Sequence, residues 1–122
     1  MATILVVEDD ERSYFLINSI LRNDQCSTIH AKNGMEALAL VEKNAPDLIL
    51  MDMRMPNMSG WDVAKTLKSQ GHTQSIPLIA MSALTEENMN QRVHDAGFEL
   101  FLPKPFSVKQ LKEIVKQYLP NC

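Results

Sequence analysis

The sequence is short of the groups from which most metal, redox and nucleotide sites are built. Of its 122 residues only two are cysteine and three histidine. Cys26 and Cys122 stand at no framework spacing, so nothing in the pattern asks for an oxidising compartment. His30, His72 and His94 are widely separated, read as strand, loop and helix-surface residues, and match no ligand spacing. There is no run of Lys or Arg, and the net charge of -3 does not indicate a nucleic-acid footprint, so no direct DNA binding is expected. The apolar runs are too short to cross a bilayer, which argues against membrane insertion. The opening "MATILVV" has neither a basic start nor a signal-length apolar segment, so a cytoplasmic location is expected.

What is present is ordinary globular composition, 45% hydrophobic and 22% charged, in a length that fits one domain over residues 1–122. Short apolar runs alternate with helical stretches. "TILVV" (Thr3–Val7) reads as a buried strand, and Ser13 to Arg22 carries Tyr14, Ile17 and Leu21 on one helical face. "STIHA" is a second strand, and Asn33–Gly34 opens a helix with Leu38 and Val41. "DLILM" is a third strand, apolar enough to be covered on both faces. Ser59 or Gly60 starts a third helix, and "IPLIAM" is a fourth strand with Pro77 near its start. Thr85 is a candidate cap for the fourth helix. Gly97 stops that helix, Glu99 to Leu102 form a fifth strand, and Ser107 caps a strongly amphipathic last helix. Strands alternating with helices imply an α/β fold: a (βα)5 parallel sheet with helices on both faces.

Sites in open parallel sheets form at the carboxyl ends of the strands. Those ends carry Glu8-Asp9-Asp10, Asp52, Ser82 and Lys104. A phosphate-cradling loop needs glycine or hydroxyl residues before its helix, whereas the first turn, "EDDER", would repel a phosphate unless a cation stood between them. An acidic pair before a helix is commonly capping and dipole compensation, and Asp10 fits that role. A third carboxylate, Asp52, at a neighbouring strand end raises Glu8 and Asp9 to candidate ligands for a hard ion such as Mg2+. Lys104 adds a mobile positive charge and Ser82 a hydroxyl. Each taken singly reads as a surface lysine and a strand-end turn residue.

The combination of "VVEDD", "DLILMDMRMPNMSG", "IAMSA" and "LPKPF" resembles the receiver domains of two-component response regulators, from Thr3 to about Tyr118. The resemblance implies a flavodoxin-like, doubly wound sheet with strand order 2-1-3-4-5. It implies that Asp52 is the phosphoacceptor, fed by a sensor histidine kinase or a histidine phosphotransfer protein. Mg2+, with Mn2+ as a substitute, would be held by Asp9, by Glu8 through water, by Asp52 and by the backbone carbonyl of Arg54. Ser82 would be the switch hydroxyl, Lys104 the phosphate-contacting lysine before a cis bond to Pro105, and Phe101 the aromatic switch. A downstream protein would bind the surface of the fourth helix, fifth strand and fifth helix. Arg54 and Leu84, each two residues past a site residue, are expected to tune the lifetime of the phosphoryl group. The chain would promote its own phosphorylation and dephosphorylation without being a conventional enzyme.

Other readings were open. A haloacid-dehalogenase-type phosphatase needs a second Asp where this chain has Arg54. A phosphorylation-independent docking module would not need every chemical position filled. The spacing of Met53, Met55 and Met58 suggests a thioether Cu(I) site, against which stands methionine's ordinary use as adaptable packing. Trp61 is expected to be partly exposed near the acceptor loop. Two organisations are open, a stand-alone shuttle or regulator in a phosphorelay and a receiver excised from a longer chain, and the start at Met1 and the end just after the last helix lean toward the first.

Overall fold

The computed structural model describes residues 1–83 and 88–122. The elements follow the expected alternation: β1 (Ala2–Val7), α1 (Glu11–Leu21), β2 (Cys26–Ala31), α2 (Gly34–Lys43), β3 (Leu48–Asp52), α3 (Gly60–Lys68), β4 (Leu78–Ser82), α4 (Met89–Asp95), β5 (Leu100–Pro103) and α5 (Val108–Tyr118). All four strand pairings are parallel, in the order β2-β1-β3-β4-β5.

The hydrophobic pattern explains the layering. Alternate residues of each strand point to opposite faces, so an apolar run such as Leu48–Met51 demands cover on both. On one face Ile4, Val6, Leu50, Ile79 and Met81 meet Ile17 and Leu21 of α1 and Leu111 and Val115 of α5. On the other, Leu5, Val7, Ile49, Met51 and Ala80 meet Val41 of α2, Val63 and Leu67 of α3, and Val93 of α4. Each fully buried side chain of this size contributes about 1.5–3 kcal/mol, so the two cores drive folding.

Local signals set the helix starts. The Asp10 carboxylate accepts from the Arg12 amide at 2.8 Å, which begins α1 two residues before the Ser13 suggested by the apolar periodicity. Asn33 accepts from the Glu36 amide, and Ser59 and Ser107 form reciprocal capping boxes with Asp62 and Gln110. Thr85, the expected cap of the fourth helix, lies outside the described residues, as does Leu84. β4 begins just after Pro77, which offers the ladder its carbonyl, accepting from the Ile49 amide at 3.0 Å. The fifth strand runs one residue later than expected, because its register carries Pro103 opposite Ser82.

One feature is invisible in the sequence spacing. Cys26 at the start of β2 and Cys122 beyond α5 are paired as a disulfide, with Cα atoms 5.6 Å apart across 96 residues of chain. The spacing of the two cysteines gave no reason to pair them, and the fold brings them together. The parallel topology returns α5 to the amino-terminal edge of the sheet, where β2 begins.

Candidate phosphoacceptor site

The carboxyl ends of β1, β3 and β4 are adjacent in the sheet, and the β5–α5 turn joins them. This juxtaposes Glu8, Asp52, Ser82 and Lys104 although they are spread over most of the chain. Glu8 and Ser82 are buried and Asp52 is only 6% exposed, whereas Asp9 and Arg54 are open to solvent. Carboxylate oxygens of Glu8, Asp9 and Asp52 lie within 4.8 Å of one another. Asp10 stands apart as the helix cap.

Lys104 is the counter-charge. Its Nζ donates to Glu8 Oε2 at 2.9 Å and lies 3.5 Å from Asp52 Oδ2. Burial lifts the Glu8 carboxyl above its ordinary 4.5, and the Asp52 charge adds to the lift, with the Lys104 ammonium opposing both. Burial acts to lower the Lys104 ammonium. The hydrogen bond to Glu8 and the Asp52 and Glu8 charges outweigh it, and its pKa rises above 10.5. The peptide between Lys104 and Pro105 is cis, and the Lys104 amide donates to the Ser82 carbonyl at 2.9 Å. That hydrogen bond ties the lysine backbone to the end of β4.

The loop after β3 orients Asp52 through its own backbone. The Arg54 amide donates to Asp52 Oδ1 at 3.0 Å, and the Met53 amide donates to the Met81 carbonyl at 2.9 Å. Oδ1 is thus fixed by the turn while Oδ2 faces the ammonium. The methionines around it are packing. Met51 and Met53 are buried, and a Cβ built on Gly60 would meet Met53 Sδ at 2.7 Å and Met51 Cγ at 3.0 Å. A Cβ on Gly34 would meet Met58 Sδ at 2.8 Å. The flexible thioethers fill the spaces left where glycine begins α2 and α3.

Phe101 is half-buried and packs on the α2–α3–α4 side of the sheet. Trp61 is likewise half-buried. It makes an edge contact with Phe98 at 6.2 Å and carries the Arg92 guanidinium 4.9 Å from its ring centre.

His30 was not among the expected site residues. Its Nε2 donates to the Glu8 carbonyl at 2.7 Å while its ring stacks on Tyr14 at 4.0 Å. Only the β1–β2 register, with His30 beside Val6, creates that contact, so no sequence signal announces it. Beside Lys104 an open groove of about 370 Å³ runs between α1 and the turn before α5, lined by Leu16, Ile17, Pro105 and Phe106 among others.

Known proteins share this fold. Residues 4–116 match the family model of the response regulator receiver domain. The polar-differentiation response regulator DivK of Brucella anthropi is 37% identical over 120 residues, covering 98% of each chain. The crystal structure of the chemotaxis protein CheY4 of Vibrio cholerae superposes with a TM-score of 0.88 at 26% identity, covering 97% of this chain and 98% of its own. The receiver domain of a sensor histidine kinase from Pseudomonas aeruginosa, solved with a magnesium ion coordinated in the active-site cleft, gives 0.86 at 27% identity and 98% coverage of both. The fold, the order of its strands and the match across nearly the whole length make this chain a member of the response regulator receiver domain family.

Proposed function

We propose that Asp52 accepts a phosphoryl group from the phosphohistidine of a sensor histidine kinase or a histidine phosphotransfer protein. The observation that carries this reading is the meeting of three carboxylates and one ammonium at a single rim, with Asp52 held by the Arg54 amide. The donor set fits Mg2+: it is all oxygen, with no soft ligand. The carboxylate oxygens of Asp9 and Asp52 lie within 4.8 Å of each other, so slight side-chain rotation would let both reach one ion. Asp9 and Asp52 would hold the ion directly, Glu8 through water, and the Arg54 carbonyl would complete the protein set, with Mn2+ able to substitute. When bound, the ion supplies positive charge to the crowded carboxylates and to the phosphoryl oxygens.

In the transfer an Asp52 carboxylate oxygen forms the new O–P bond as the N–P bond of the phosphohistidine breaks. The electron pair returns to the imidazole nitrogen. The transition state is loose, so the work of the chain is positioning and charge neutralisation. Lys104 is already within 3.5 Å of Oδ2 and moves from Glu8 toward the incoming oxygens. Ser82, next to Asp52 in the sheet, offers its hydroxyl to an oxygen of the product. Its movement frees space for Phe101 and biases the α4–β5–α5 surface toward a downstream protein. The exchange belongs to the cytoplasm, where a small signalling domain of this kind meets its kinase.

The test is intact mass after incubation with acetyl phosphate. A Mg2+-dependent adduct of one phosphoryl group is expected, absent in Asp52→Asn. No adduct in the wild type, or its survival in the variant, would reject the proposal.

A further inference from the structure

The pairing of Cys26 with Cys122 is independent of the phosphoacceptor rim. Cys26 opens β2 opposite Ala2, whereas Asp52 closes β3, so the pair lies at the amino-terminal edge of the parallel sheet. Cys26 is anchored there by the Asn23–Cys26 bridge and is 1% exposed. Cys122 is half-exposed and packs against the core shared by α1 and α5. Its amide donates to the Leu119 carbonyl at 2.9 Å, turning the chain beyond α5 back toward β2. The 5.6 Å between the Cα atoms falls in the middle of the range that disulfides occupy, so closing the bridge requires no backbone movement.

We propose that Cys26 and Cys122 form a redox-responsive clasp that is closed by exchange with small-molecule disulfides. Their unequal exposure sets the order of events. The accessible Cys122 thiolate attacks a disulfide of the glutathione class, forming a mixed disulfide and releasing one thiol. The Cys26 thiolate then attacks Cys122 Sγ and expels the second thiol. Two protein thiols and one small disulfide become one protein disulfide and two small thiols, with no other reactant. In a reducing compartment the pair rests as thiols; under oxidising conditions it bridges.

The clasp is stabilising because of what it encloses. A bridge between positions 26 and 122 closes a loop across a separation of 96 residues, which removes much of the freedom of the unfolded state. It also fixes the end of α5, the one helix that belongs to both the α1–α5 core and the output surface.

The experiment incubates the full chain with oxidised glutathione or with a reductant, then counts thiols after denaturation and follows thermal unfolding. The expected oxidised product is monomeric, two hydrogens lighter and without titratable thiol. Its unfolding midpoint lies on the order of 10 °C above that of the reduced form. Cys122→Ser, which changes a half-exposed position, is expected to fold and to lose the difference between the two treatments. Persistence of two titratable thiols, a disulfide-linked dimer in place of the internal bridge, or equal midpoints for bridged and reduced protein would each overturn the proposal.

Discussion

Replacing Lys104 by Met keeps the aliphatic stem and removes the charge that faces two buried carboxylates. Glu8 and Asp52 are 2% and 6% exposed, so the loss cannot be made up by solvent. Removing one partner of a buried pair ordinarily costs about 3–5 kcal/mol. Here an escape limits the cost, because Glu8 can take a proton. Its ordinary value is 4.5, and each pH unit above that costs about 1.4 kcal/mol. Neutralising it therefore costs at most ~3.4 kcal/mol at pH 7 and ~0.7 kcal/mol at pH 5. Burial already raises the Glu8 carboxyl in the wild type, so part of the penalty is present before the substitution. The expected destabilisation is about 2–3 kcal/mol at pH 7, falling below about 1 kcal/mol at pH 5.

The sign follows from linkage. A carboxyl whose folded pKa is raised binds more protons in the native state, so stability falls as pH rises above 4.5. Lys104→Met widens that window upward. In the wild type Lys104 contributes with the same sign of pH dependence, in a higher window. Its raised pKa gives stability that is fully present below 10.5 and lost as pH climbs through the folded value. Urea denaturation of both proteins at pH 5, 6 and 7 without divalent ions measures the difference directly. A loss that stays constant across that range, or one under about 0.5 kcal/mol at pH 7, would refute the reasoning.

Other substitutions probe separate parts of the account. Arg54→Ala and Leu84→Ala are expected to change the rate at which the phosphoryl adduct decays, and rates equal to wild type would remove both residues from any role in its lifetime. Gly97→Ala should cost about 1–2 kcal/mol by denaturant melt. Gly97 holds φ at 97°, and an added Cβ would lie 2.8 Å from Lys68 Cγ. Lys68 cannot easily yield, since its ammonium is held by the Gln74 and Ile76 carbonyls. An unchanged midpoint would show that the turn after α4 relaxes. Ser107→Ala removes one arm of the capping box at α5 and should cost about 1 kcal/mol, with no cost if solvent caps the helix equally well.

The sheet was legible because burial on two faces leaves a distinctive mark. Runs such as Leu48–Met51 admit no solvent-facing side, and helices between them leave parallel pairing as the natural arrangement. The rim residues were legible because strand ends of such a sheet converge wherever the order brings strands together. Interactions that depend on register were not. The Lys104–Glu8 bond spans 96 residues and exists because β1 and the turn after β5 reach the same rim. The sequence placed Lys104 near the phosphate and gave no reason for it to hold Glu8 first. His30 reaches the Glu8 carbonyl only through the β1–β2 pairing, and Cys26 meets Cys122 only because α5 runs back to the start of β2. Small boundary shifts arose where a cap or a ladder partner outweighed periodicity, at Asp10 before α1 and at Pro103 opposite Ser82.

The central claim is that Asp52 carries the phosphoryl group. Borohydride reduction of protein treated with acetyl phosphate and Mg2+, followed by peptide mass mapping, tests it most directly, since an acyl phosphate is reduced while a free carboxylate is not. The account predicts homoserine at position 52, dependent on Mg2+ and absent when Asp52 is Asn. Reduction at Glu8 or Asp9 instead, or none at all in protein that carries the adduct mass, would contradict it.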